Sequence, residues 1–133
     1  DPLCHHKKGE WKTSLDDFEV LIPADSITAI YPGVFPKTVD GRLAKIGKFC
    51  FVYVDMDTYQ STYDAIAFFW PRLVQGGKLF VDDYGWEPCA GVKKAVDELL
   101  PHRGVDDDGT AGLPGAMFRR VVQPQYACIV EKK

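Results

Sequence analysis

The sequence has no run of about 18 apolar residues, so no membrane-spanning helix is expected. It has no basic stripe either, and 16 Lys and Arg against 19 Asp and Glu leave a formal charge of −3. Both facts argue against a nucleic-acid partner. Its four cysteines, Cys4, Cys50, Cys89 and Cys128, fit no zinc-ligand spacing. The acidic run Asp106-Asp107-Asp108-Gly109 lacks the EF-hand spacing and reads as a solvated connection. No signal peptide is visible, and the start at Asp1-Pro2 without a Met is what a piece of a longer chain would show. These absences lead to a cytoplasmic expectation, with the cysteines reduced.

At 133 residues, 46% hydrophobic and 26% charged, the chain suits one domain with a buried core, spanning 1–133. It is organised around residues 49–86. Phe49 to Val54 is an unbroken apolar run, as expected of a strand buried on both faces, and it stops at Asp55 and Asp57. Residues 60–73 follow helical spacing, with Tyr63, Ile66, Phe69, Trp70 and Leu73 on the sheet side. Gly76-Gly77 then turns the chain into a second strand, Lys78 to Val81, which stops at Asp82 and Asp83. A right-handed crossover makes the two strands parallel and brings both acidic pairs to the carboxyl edge of the sheet, where ligands bind in open α/β folds. Carboxylates gathered there repel one another unless neutralised, and a hard cation such as Mg²⁺ takes oxygen ligands. Asp55, Asp82 and Asp83 are therefore the candidate metal ligands. The alternative is that Asp57 or Thr58 caps the following helix and Asp83 caps a turn.

The flanks are simpler. Residues 1–12 read as polar loop, and the adjacent His5 and His6 as exposed. Leu15, Phe18, Leu21 and Ile22 share a helical face ended by Pro23, and Ser26 to Tyr31 reads as a strand. A turn follows at Pro32-Gly33-Val34-Phe35-Pro36, then a short helix over 37–46. Tyr84 and Trp86 stand in a loop on the ligand edge as candidate walls of a binding pocket. A helix follows Pro88 to about Leu100, with Val92, Ala95, Val96 and Leu99 as its apolar face. Met117 to Val122 and Tyr126 to Val130 suggest a final antiparallel hairpin. Cys50 and Cys128 fall in strand runs, where a thiol is usually a small core residue.

Several ordered motifs carry a resemblance: Val54-Asp55-Met56-Asp57-Thr58-Tyr59-Gln60-Ser61-Thr62-Tyr63-Asp64-Ala65, then Trp70-Pro71-Arg72-Leu73-Val74-Gln75-Gly76-Gly77, Val81-Asp82-Asp83-Tyr84-Gly85 and Lys93-Lys94-Ala95-Val96-Asp97-Glu98. Over roughly residues 31–100 the chain resembles the macrocin O-methyltransferase family of class I methyltransferases. The resemblance implies a three-layer Rossmann-like α/β sheet ending in an antiparallel hairpin. It also implies S-adenosylmethionine and Mg²⁺ as cofactors, and a hydroxyl of a sugar or other small natural product as acceptor. Gly33 and Phe35 become candidate neighbours of the cofactor's adenine, the alternative being a positive-φ turn and a core aromatic. Asp55 becomes the candidate base, with Asp57 as its alternative.

One part of that pattern is missing. There is no G-x-G-x-x-G or shorter equivalent leading into a helix, so the likeness is to the C-terminal portion of such an enzyme, an incomplete sheet without its cofactor-loop strands. The strand at 26–31 then needs a new neighbour, a missing N-terminal segment, or a second copy in a homo-oligomer. A degenerate, non-catalytic binding module is the alternative reading. A metal-dependent hydrolase is weaker, because no further His/Asp cluster offers a nucleophile or a second metal.

Overall fold

A computed structural model describes residues 1–7, 9–10, 14, 30–39, 47–100, 116–117 and 126–132. In chain order these form a 3₁₀ turn Lys37–Val39, strand β1 (Phe49–Val54), helix α1 (Tyr59–Phe69), a 3₁₀ turn Trp70–Arg72, and strand β2 (Leu73–Val81). Helix α2 (Ala90–Leu99) and strands β3 (Ala116–Met117) and β4 (Cys128–Lys132) follow. The sheet order is β1-β2-β4-β3. The pair β1–β2 is parallel, and β4 runs antiparallel to both β2 and β3. The expected α/β architecture, with a parallel pair closed by antiparallel strands, is therefore present. All but Ser14 of the helix expected at 13–22, all but the last two residues of the strand expected at 26–31, and the 40–46 part of the short helix expected at 37–46 lie outside the described residues. So do the join of the terminal hairpin and the acidic run at 106–108.

The ladder registers sort the sheet into two faces. Val52, Leu79 and Val130 form one cross-strand row, and Val54, Val81 and Cys128 the next. All six are buried in one cluster with Ala65, Ile66, Trp70, Val92, Val96 and Leu99 from the α1 and α2 region. The opposite face carries Phe51 and Tyr53, which are 54% and 52% exposed. The expectation that β1 is buried on both faces is thus corrected. Both helices pack over the same face, and among the described residues none covers the other. Cys50, expected in the core, is exposed on β1, whereas Cys128 is buried.

Helix α1 ends earlier than its apolar spacing suggested, at Phe69. Pro71 has no N–H to continue the ladder, and the chain tightens into a 3₁₀ turn. Two cations satisfy carbonyls left over there. Arg72 Nη1 donates to Phe68 O at 2.7 Å, and Lys132 Nζ donates to Trp70 O and Leu73 O, each at 3.0 Å. The Gly76-Gly77 pair does not end the helix but lies inside β2. It falls where the register jumps from Phe49↔Leu73 to Phe51↔Lys78. Gly76 has φ +77, and a Cβ on Gly77 would stand 2.8 Å from Val74 O, so only glycines fit this irregularity.

Candidate active site

Because β1 and β2 are parallel with Val54 opposite Val81, their next residues, Asp55 and Asp82, emerge side by side at one edge. The Asp82 N–H extends the ladder by donating to Val54 O at 2.9 Å. Both oxygens of the Asp82 carboxylate are engaged: Oδ1 accepts from the Asp83 N–H at 3.0 Å, and Oδ2 accepts from the Tyr53 hydroxyl. Tyr53 is held over the sheet by Phe80, ring on ring, with centroids 4.9 Å apart and planes 9° apart. Its hydroxyl is pushed up to about 12, first by the hydrogen bond to Asp82.

The turns after the two strands carry the other two carboxylates. Asp57 and Asp83 both have positive φ, 56° and 57°, a conformation that Asp tolerates better than most residues and that concentrates at functional sites. Asp57 does not cap α1; the N-cap position is Thr58. The first helical N–H, that of Tyr59, is instead taken by the Asp1 carboxylate at 2.7 Å. Asp57 is thereby left free of capping. Its carboxylate lies with that of Asp83 and the Cys89 thiol in a group whose donor atoms are all within 4.8 Å of one another.

The crowding shows in the protonation equilibria. The Asp83 carboxyl is pushed up to about 6, first by loss of water, then by the charges of Asp82, Asp57 and Asp55 and a hydrogen bond to Asp57. Asp55 as a whole is exposed, yet its carboxyl is raised too, by partial loss of water and then by Asp82 and Asp57. Cys89 is pushed up to about 12, by burial first and then by the charges of Asp83 and Asp57. Its thiol therefore stays protonated, which makes it a poor ligand; thiolates in any case favour softer metals than Mg²⁺. The four carboxylates are the donors suited to a hard cation.

An open cleft of about 350 Å³ adjoins this edge, lined by His6, Asp55, Asp57 and Trp86. The His6 and Trp86 rings sit 5.4 Å apart, tilted by 46°. Of the two aromatics expected to wall a pocket, Trp86 does so. Tyr84 is 6% exposed, part of the core cluster, and donates to Asp97 Oδ1 of α2 at 2.8 Å. The sequence reading missed His6 and Cys89. A β-bridge between Cys4 and Cys89 and the Asp1–Tyr59 contact draw the first residues onto the sheet edge, and no local signal marks those long-range contacts.

The structure brings Asp55, Asp82 and Asp83 to one edge and adds Asp57, but the tightest donor group pairs Asp83 with Asp57 rather than with Asp55. It does not bring Gly33 and Phe35 there. The Phe35 ring lies 5.5 Å from Phe69, whose ring lies 5.4 Å from Phe49 at the opposite end of β1. Gly33 has φ +130, and a Cβ there would overlap Thr38 Cγ2 at 2.1 Å, so the turn itself requires glycine.

A family model described as macrocin-O-methyltransferase (TylF) matches residues 10–118. The 8-demethyl-8-(2,3-dimethoxy-α-L-rhamnosyl)-tetracenomycin-C 4′-O-methyltransferase of Streptomyces olivaceus is 34% identical over 99 residues, covering 71% of this chain and 36% of that protein. The demethyldecarbamoylnovobiocin O-methyltransferase of Streptomyces niveus is 35% identical over 84 residues, 63% of this chain and 30% of that protein. The mycinamicin III 3″-O-methyltransferase of Micromonospora griseorubida is 30% identical over 84 residues, covering 63% of this chain and 31% of its own length. Among solved structures, the apo form of CalS11, a TDP-rhamnose 3′-O-methyltransferase of calicheamicin biosynthesis, aligns with a TM-score of 0.55 at 21% identity. That alignment covers 74% of this chain and 38% of that one, and at this identity it supports the fold alone. The chain thus spans about a third of the length of the relatives it matches.

Proposed function

The chain belongs to the macrocin-O-methyltransferase family, and from that premise we propose that it is the acceptor- and metal-binding part of an S-adenosylmethionine-dependent O-methyltransferase acting on a hydroxyl of a sugar or other small natural product. The observation that carries this reading is the gathering of Asp55, Asp57, Asp82 and Asp83 at the carboxyl edge of two parallel strands, beside a cleft walled by His6 and Trp86. The printed activities of the relatives, on rhamnosyl, novobiocin and mycinamicin compounds, favour a hydroxyl acceptor of that class.

The donor set fits Mg²⁺: oxygen-only, multiply anionic, and repelling itself in the absence of a cation. Asp83 and Asp57 or Asp55, with Asp82, would hold it. Bound there, Mg²⁺ would supply the polarisation that lowers an acceptor hydroxyl's pKa, while S-adenosylmethionine supplies the methyl group. The chain's own residues have separate tasks. Tyr53 and the Asp83 N–H fix the Asp82 carboxylate in one orientation. Trp86 offers a flat apolar wall for one face of a sugar ring, and His6 narrows the cleft beside it. Asp55, at the cleft and less acidic than an ordinary Asp, is the better placed of the carboxylates to take the hydroxyl proton. Asp57, in the tighter group with Asp83, is the alternative.

Two measurements test this. Calorimetric titration with Mg²⁺ should show binding that Asp82→Ala weakens at least tenfold, and unchanged binding in the variant removes Asp82 from the site. Transfer of labelled methyl from S-adenosylmethionine to a sugar hydroxyl, assayed in the protein that carries this chain, should fall by two or more orders of magnitude in Asp55→Asn. Full activity in that variant passes the base role to Asp57.

A further inference from the structure

We propose that Cys4 and Cys89 form a reversible disulfide that fastens the first residues of the chain to the acidic edge of the sheet. The two residues face each other in an isolated antiparallel β-bridge. The bridge is of the non-hydrogen-bonded type. The His5 N–H donates to Pro88 O at 2.9 Å, one residue outside the pair, and the Cys89 N–H is spent on Trp86 O at 3.0 Å. Opposed residues of that type have Cα atoms about 4.5 Å apart, inside the range of about 4.4–6.8 Å that disulfides span. Cys4 also lies near enough to the Cys89 thiol to be among the groups that raise its pKa. The spacing of such a pair suits a disulfide. The other two cysteines stand elsewhere, Cys50 exposed on β1 and Cys128 buried on β4.

The oxidant is a low-molecular-weight disulfide. Cys4 is partly exposed and reacts first: its thiolate attacks one sulfur of the oxidant, forming a mixed disulfide and expelling one thiolate. The Cys89 sulfur, giving up its proton as it attacks, then bonds to the Cys4 sulfur and expels the second. Two protein thiols are oxidised to one S–S bond, the oxidant is reduced to two thiols, and the two protons lost by the protein pass to them. A dithiol reverses both exchanges.

The bond matters because of what the bridged segments carry. Asp1 caps α1, His6 walls the cleft, and Cys89 shares its donor group with Asp57 and Asp83. Oxidation would fix all three relative to one another. The inference does not depend on methyl transfer.

The test is to incubate the folded chain with oxidised glutathione, alkylate the remaining thiols, digest and identify linked peptides by mass. The expected product joins the Cys4 peptide to the Cys89 peptide, less two hydrogens, and disappears with dithiothreitol. It should persist in Cys50→Ser and be lost in Cys4→Ser, whose substitution lies in the surface segment; circular dichroism verifies that this variant is folded. Recovery of Cys4 and Cys89 as alkylated thiols or only as glutathione adducts would overturn the proposal. So would a bond from either of them to Cys50 or Cys128.

Discussion

Replacing Asp83 by Asn probes the carboxylate cluster directly. Asn keeps the shape and tolerates the positive φ of 57°, but it cannot ionise. The Asp83 carboxyl rises from 3.8 to about 6 on folding. The sign follows from linkage: a carboxyl raised in the folded state is most favourable below its unfolded value, and that advantage is lost as pH climbs through the folded one. The relevant window is therefore about pH 4 to 6. The full shift corresponds to about 3 kcal/mol at 1.36 kcal/mol per pH unit. Asp83 is partly solvated, so screening reduces this to roughly 1 kcal/mol. For 133 residues the unfolding entropy is about 0.28 kcal/mol per kelvin, so Asp83→Asn should raise the melting temperature by about 3–4 °C at pH 7.5. At about pH 3, below both values, Asp83 is largely protonated in both states, and the variant and wild type should melt within about 1 °C of each other. Circular dichroism at 222 nm at the two pH values measures both. Added Mg²⁺ should stabilise wild type at pH 7.5 more than the variant. Equal gains at both pH values, or a loss at pH 7.5, would refute the view that loss of water and the neighbouring carboxylates together disfavour the Asp83 charge.

Other outcomes follow from the same geometry. Tyr53 should ionise late, near pH 12, and this step in ultraviolet absorbance should vanish in Tyr53→Phe, which keeps the ring on Phe80; an unchanged titration would mean the hydroxyl does not hold Asp82. Ile66 has no exposed surface, so Ile66→Ala should cost about 2–4 kcal/mol, read as a lower urea midpoint, and a cost under ~1 kcal/mol would place it outside a packed core. With no glycine-rich cofactor turn in the sequence, two or three polar anchors at about 1–3 kcal/mol each are lacking, so this chain alone should bind S-adenosylmethionine orders of magnitude more weakly than micromolar. Micromolar binding by calorimetry would locate the cofactor site differently.

What the sequence determined by itself is local. The apolar run ending at Asp55, the Val-Asp-Asp at 81–83, and the spacing of Val92, Ala95, Val96 and Leu99 were legible because strand period, helix period and an abrupt change of polarity are properties of consecutive residues. All four helix positions are indeed buried. The parallel pairing also followed, since a helix of about three turns leaves little choice of crossover.

Only the tertiary structure decided the rest. An unbroken apolar strand has no alternation to say which parity faces the helices, so the exposure of Phe51 and Tyr53 and the burial of Val52 and Val54 depend on what packs against the sheet. The motif Asp-Met-Asp does not reveal which Asp joins Asp83; that was settled by the left-handed turn at Asp57 and by Asp1, 58 residues away, taking the helix N–H. His6 and Cys89 entered the site through one bridge between chain positions that share no local pattern. Contacts across such separations depend on the folded path of the whole chain, and periodicity carries no record of that path.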